Sequence, residues 1–162
     1  MLALAVPAVL AVLVLRQAQV TPEVTLKGEP FRVAVARAGG APELAASDAQ
    51  VRAGDALRFS YEAAQPGFLL VLELDGRGQA GVLLPFGGAS SAPVEAGRRD
   101  FLPGSVVLDD APGPELLLAV FSQRPLEAAP LLEALRRQAG RPEPRLECGG
   151  CRVSLLRLRK AP

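Results

Sequence analysis

The sequence contains no histidine. That excludes Ser-His-acid and Cys-His catalytic groups and any histidine metal site, and it leaves no side chain that titrates near neutrality unless its surroundings shift its pKa. Cysteine occurs twice, at Cys148 and Cys151, so one chain cannot close a four-ligand zinc site. Aromatic residues are 4% of the 162, and 18 basic against 17 acidic residues leave a net charge of +1. Such a balance carries no field that advertises nucleic acid or an anionic membrane. Hydrophobic residues, by contrast, make up 49% of the chain, and there are 16 glycines and 15 prolines without a collagen-like period. Apolar material therefore suffices for a core, and the glycine and proline content favours many short elements joined by turns over an all-helical bundle. The length allows one domain, not two, once the apolar N-terminus is set aside.

Residues Met1 to Leu15 (MLALAVPAVLAVLVL) contain no polar side chain and are closed by Arg16-Gln17-Ala18-Gln19. As a helix, fifteen residues reach about 22 Å, short of a hydrocarbon core of about 30 Å. The length suits the apolar part of a secretory signal, but a basic start and a small-x-small cleavage site are missing, and no cysteine lies near to make a lipoprotein box. A further reading is the back half of a transmembrane helix whose front is not in this chain. Pro7 and the lack of any polar face favour a membrane anchor, cleaved or not, over a core element. Residues 1–16 are thus expected to be an anchor or signal segment, residues 17–30 (with Pro22 and Pro30) a polar linker, and residues 31–160 one domain outside the cytoplasm. That domain is held at the inner membrane and faces the periplasm, or is released there if the N-terminus is cleaved.

Within the domain, Phe31 to Ala36 alternates as a strand, and Ala56 to Glu62 sets Leu57, Phe59 and Tyr61 against Arg58, Ser60 and Glu62, the clearest period-two run in the chain. Phe68 to Leu74 is apolar on both faces up to Glu73, as befits a central strand, and Asp75-Gly76-Arg77-Gly78 turns it back into Gln79 to Leu84. From Phe86 to Pro103 a long loop with at most one short edge strand is expected; Ser105 to Leu108 and Glu115 to Phe121 are further strands. Leu126 to Ala139 has Leu131, Leu132 and Leu135 at helical spacing, with Pro130 in its first turn and Gly140 as C-cap. The last strand, Cys151 to Arg159, breaks alternation at Leu155-Leu156, which predicts a bulge. The fold class is mainly β: an antiparallel β-sandwich or partly open barrel of about seven strands, with one amphipathic helix before the last strand.

The chemistry-bearing candidates are few. Cys148-Gly149-Gly150-Cys151 precedes a strand, not a helix N-terminus, so a disulfide across the Gly-Gly turn or a pair of free thiols is expected ahead of a thioredoxin-like site. Asp109, Asp110 and Glu115 flank a Pro-Gly-Pro turn. They lack the alternating acidic pattern of calcium loops, so a polar turn with an Asx cap is favoured over an oxygen cage. From Arg145 to Lys160 the local charge is +4, and a solvated outer strand face guarded by charge is favoured there over a basic contact for an acidic partner. Neither a catalytic group nor a cofactor or metal site emerges, and no nucleic acid partner is expected. The residues expected to meet a protein partner in the cell envelope are Phe86, Arg98, Arg99, Asp109, Asp110 and Glu115.

Several segments carry a resemblance. Val51-Arg-Ala-Gly-Asp-Ala-Leu-Arg-Phe, Pro66-Gly-Phe-Leu-Leu-Val-Leu-Glu-Leu-Asp-Gly-Arg-Gly, Val82-Leu-Leu-Pro-Phe-Gly-Gly, Leu102-Pro-Gly-Ser through Pro112-Gly-Pro-Glu, and Phe121-Ser-Gln-Arg-Pro-Leu follow in this order. Together they resemble the extracytoplasmic domain of bacterial ActD-like proteins, a domain of unknown function that also occurs behind signalling modules. In that family a cytoplasmic anti-sigma-type zinc finger often precedes one transmembrane helix. This chain opens inside the apolar segment and has neither that finger nor its ligands, so the resemblance implies the outer module alone. It offers no catalytic residue to carry over. The expectation is a non-catalytic, membrane-anchored binding or sensory module in envelope signalling; the alternative is a structural or self-associating envelope protein, with the oligomeric state open.

Overall fold

The structure, a computed structural model, describes residues 31–160 apart from Gly39 and Asp100. The expected anchor and linker lie outside the described residues. Among the described residues no helix is long and apolar enough to cross a membrane.

Among the described residues eleven strands and one helix follow in order: β1 (Phe31–Ala36), β2 (Glu43–Leu44), β3 (Ala49–Val51), β4 (Ala56–Ala63), β5 (Gly67–Leu74), β6 (Ala80–Leu84), β7 (Ala92–Val94), β8 (Gly97–Arg99), β9 (Val106–Val107), β10 (Pro114–Ser122), α1 (Ala128–Arg136) and β11 (Arg152–Lys160). They form two sheets. Sheet A runs β2-β1-β4, and β8 and β9 share the far edge of β4. Sheet B runs β3-β11-β10-β5, and β6 and β7 share the far edge of β5. All pairings are antiparallel except that of β3 with β11, which is parallel.

The two sheets face each other across one apolar layer. Sheet A supplies Val33, Leu57, Phe59 and Tyr61, and sheet B supplies Leu69, Val71, Leu117, Ala119 and Leu158. Phe31 stacks on Phe59 with ring centroids 5.6 Å apart. The other face of sheet B carries Leu70, Leu72, Leu116, Leu118 and Val120, and Ala128, Leu131 and Leu135 of α1 cover it. The molecule is therefore a three-layer stack of sheet, sheet and helix. That explains the unbroken apolar runs of β5 and β10, which are central strands buried on both sides, whereas β1 and β4 alternate. The helix begins after Glu127, with Pro130 in its first turn, and a chain reversal ending in Gly140 at φ 82° follows it.

The mainly β architecture with one helix before the last strand agrees with the sequence reading, and the sheets do not close into a barrel. Four elements of two or three residues, β2, β3, β7 and β8, raise the strand number above seven. The region from Phe86 to Pro103 contains two of them, because Ala92–Val94 completes the edge of β5 and Gly97–Arg99 that of β4. No bulge occurs at Leu155-Leu156; β11 pairs without interruption along β10. The alternation breaks there because Leu156 packs between the sheets while Leu155 stands on the outer face at 36% exposure. The one register shift of sheet B lies between β5 and β6, at Val71/Leu72.

Candidate functional site

One end of the sandwich holds the densest ionisable cluster among the described residues. β11 turns Leu156, Leu158 and Lys160 toward the space between the sheets, so the Lys160 side chain is 4% exposed. Its ammonium donates to Asp109 Oδ1 at 2.9 Å and pairs with Glu115 Oε1 at 2.5 Å. Glu115 is 2% exposed and stands on the same face of sheet B as Leu117. Glu73, opposite Leu117 in the β5–β10 register, points to this face as well. A methyl group at Gly81, its β6 neighbour, would meet Glu73 Oε1 at 2.8 Å. Glycine at 81 thus leaves room for the carboxyl. The tip of the β5–β6 turn presses Gly76 against Pro112 and Gly113, a backbone approach that excludes a side chain at 76, and Gly113 adopts φ 97°.

The electrostatics follow from burial and from the imbalance of charge. Burial pushes the Glu73 carboxyl up to about 7, aided by the negative charges of Glu115, Asp75 and Asp109 and opposed by Lys160. Burial also raises Glu115, against the hydrogen bond from Lys160. Burial works to lower Lys160, but its bonds to Glu115 and Asp109 outweigh it and hold the ammonium above its ordinary range. Asp109 is held low by Lys160 and by the Ala111 N–H, which donates to Asp109 Oδ1 at 2.9 Å in an Asx turn. Among the described residues no group of three His, Cys, Asp or Glu is arranged to hold a metal ion.

The residues singled out in the sequence do not converge. Asp109 and Glu115 meet on Lys160, and Asp110 sits beside them, exposed and 3.6 Å from Arg77. Arg98 and Arg99 lie in β8 opposite Glu62 and Tyr61, at the far end of β4 from the Ala56–Leu57 stretch that leads through β9 to Asp109. The two ends are separated along β4 by about 13–20 Å. Phe86 is half-exposed and rests on Gly104. The basic C-terminal stretch is not a uniformly solvated face. Lys160 is buried, and Arg157 grips Asp48 through Nε at 2.6 Å and Nη2 at 3.0 Å. Asp48 is held below the usual carboxylate range by that bond. Lys160 and Glu73 escaped the sequence reading as partners of Asp109 because nothing in the spacing relates positions 73, 109, 115 and 160.

A second feature lies on the open side of the sandwich, where β1 and the short β2 beside it face the edge of β11. The Arg157 carbonyl accepts from the Asp48 N–H and so points away from β10. In an extended strand alternate residues direct their backbone groups to the same edge, which aims those of Val153 and Leu155 outward too. β3 pairs with residues 158 to 160 and leaves that stretch without a strand partner among the described residues. Between the edges runs a groove of about 430 Å³, lined by Phe31, Val33, Leu44, Leu155 and Leu156 among others. Leu44 on its rim is 64% exposed. At the sandwich end opposite the cluster, Cys148 and Cys151 form a disulfide that packs against the helix-side core.

A family model described as a domain of unknown function (DUF4384) matches residues 50–125. The match takes in Glu73, Asp109 and Glu115 and leaves out Lys160, the helix and every residue lining the groove. No curated protein and no solved structure matches the chain.

Proposed function

We propose that the chain is a non-catalytic binding and sensory module of the bacterial cell envelope, carried outside the cytoplasm on its apolar N-terminal segment or released there after cleavage. The observation that carries this reading is the apolar groove beside the open stretch of the β11 edge, with Leu44 and Leu155 on the surface. Open edges present unpaired N–H and C=O groups, and an extended segment of a protein partner satisfies them while burying side chains in the groove. The resemblance to the outer domain of ActD-like proteins supports a place in envelope signalling.

A photo-crosslinking residue at 44 or 155, in the full chain expressed in a bacterial envelope, tests the reading. Adducts with an envelope protein from both positions, and none from exposed Arg141, are expected. Equal labelling from all three positions, or none from 44 and 155, overturns it. The second reading, a self-associating envelope protein, is favoured by the same free edge of β11, a template for pairing with another copy. It predicts adducts at twice the mass of the chain. Fractionation with thiol alkylation then tests the location: a membrane-bound species whose two cysteines react only after reduction is expected, and a soluble cytoplasmic species with two reactive thiols removes the envelope reading.

A further inference from the structure

We infer that the Glu73 end of the sandwich is a pH-sensitive clamp on the Asp109–Pro114 loop, which is held at mildly acid pH and loosened when the Glu73 carboxyl gives up its proton. The inference rests on the charged groups gathered at one end of sheet B and is independent of the groove. Glu73 stands one pleat from Glu115 on the same face of sheet B, and the negative charges of Glu115, Asp75 and Asp109 are opposed at Glu73 by a single ammonium, Lys160. Lys160 bonds Glu115 and Asp109. Asp75 lies at the open turn and accepts the Gln79 N–H at 2.6 Å. Glu73 has no basic side chain within ion-pair distance among the described residues.

The surrounding elements offer Glu73 no other relief. β10 presents Glu115, the loop after β9 presents Asp109, the β5–β6 turn presents Asp75, and β6 presents Gly81. The nearby cation Arg77 pairs with Asp110 at 3.6 Å. On the sheet A side, Asp55 accepts the Arg52 N–H at 2.9 Å. A neutral Glu73 is compatible with this arrangement. Glu73 is half-buried, and an ionised carboxylate there adds a negative charge that competes with Asp109 and Glu115 for Lys160, which weakens the bond by which Lys160 holds Asp109. That bond anchors the loop at one end, and the contact of Gly113 with Gly76 holds it at the other.

The sign of the pH effect follows. Burial holds the folded carboxyl near 7 against an ordinary 4.5, so its contribution to stability is complete below about 4.5 and is lost as pH rises through about 7. The test uses the full chain in detergent. Amide exchange of residues 109–114, corrected for the intrinsic pH dependence of exchange, is followed from pH 5 to 8 alongside the unfolding midpoint. Loop protection is expected to fall about tenfold by one unit above the folded pKa, and the midpoint is expected to fall with it. Glu73→Gln, which keeps the shape and removes the titration, should give protection that is flat with pH and stays at the acid level. Glu133→Gln, on the exposed face of the helix, should behave as the parent. An unchanged pH slope in Glu73→Gln overturns the proposal. So does a ¹³C titration placing the parent Glu73 carboxyl in the ordinary carboxylate range, a measurement that decides the matter even if the variant does not fold.

Discussion

Sheet A and sheet B share an interior but not an exterior. Sheet B is sealed by α1, so its outward residues Leu70, Leu72 and Leu118 are as buried as its inward ones. The outward face of sheet A buries the small Ala34 and Ser60 but carries half-exposed charged residues around them: Arg32 lies 3.9 Å from Glu62, and Arg58 covers the Phe101 ring at 4.5 Å. A position that faces away from the sandwich interior is therefore structural in one sheet and a surface position in the other. The difference lies in what is packed over it, since both sheets are extended backbone of similar length.

Substitutions sharpen the comparison. The largest loss is expected where both sheets depend on one side chain. Phe59→Ala removes the ring stacked on Phe31 at the centre of the shared layer, and should cost about 3–5 kcal/mol in denaturant unfolding. Next comes Leu70→Ala, on the outer face of sheet B yet fully buried beneath the helix-side core; about 2–4 kcal/mol is expected. A value near zero would mean that α1 does not seal this face. Opening the Cys148–Cys151 disulfide with a reductant should cost about 2 kcal/mol or less, read as a small shift of the melting midpoint, because a loop this short closes little chain entropy. Smallest is Arg58→Ala on the outer face of sheet A, expected below about 1 kcal/mol. A loss comparable to that of Leu70→Ala would erase the distinction between the two exteriors.

Much of the fold was legible because the signals are local. The alternation of Leu57, Phe59 and Tyr61 marks a strand with one buried face, and Leu131 and Leu135 mark a helix with one apolar stripe. The run of β5 announced a strand covered on both sides. The elements missed, β2, β3, β7 and β8, are two or three residues long. They exist because a neighbouring strand offers its edge, a condition that leaves no period in the sequence. The supposed bulge at Leu155-Leu156 has the same origin: two adjacent leucines look like a break in alternation when the faces they meet are unknown.

The candidate site was less legible than the fold. Asp109 and Glu115 were conspicuous by their place around a Pro-Gly-Pro turn, and the structure brings them together. It does so on Lys160, whose side chain the surrounding arginines made look solvated, and beside Glu73, which resembled the polar end of an apolar strand. Burial decides the character of such groups, and burial depends on which strands lie alongside.

The sequence by itself determined the absence of histidine chemistry, the β-rich class, the phase of the long strands and the position of the helix. These follow from composition and from periods of two and 3.6 residues, which local backbone geometry imposes. Tertiary structure alone decided the parallel pairing of β3 with β11, the open edge and groove beside it, and the meeting of Glu73, Asp109, Glu115 and Lys160. Those features depend on contacts between residues more than a hundred positions apart, such as Asp48 and Arg157, which are separated by 109. The energy of such a contact appears only when the chain closes on itself.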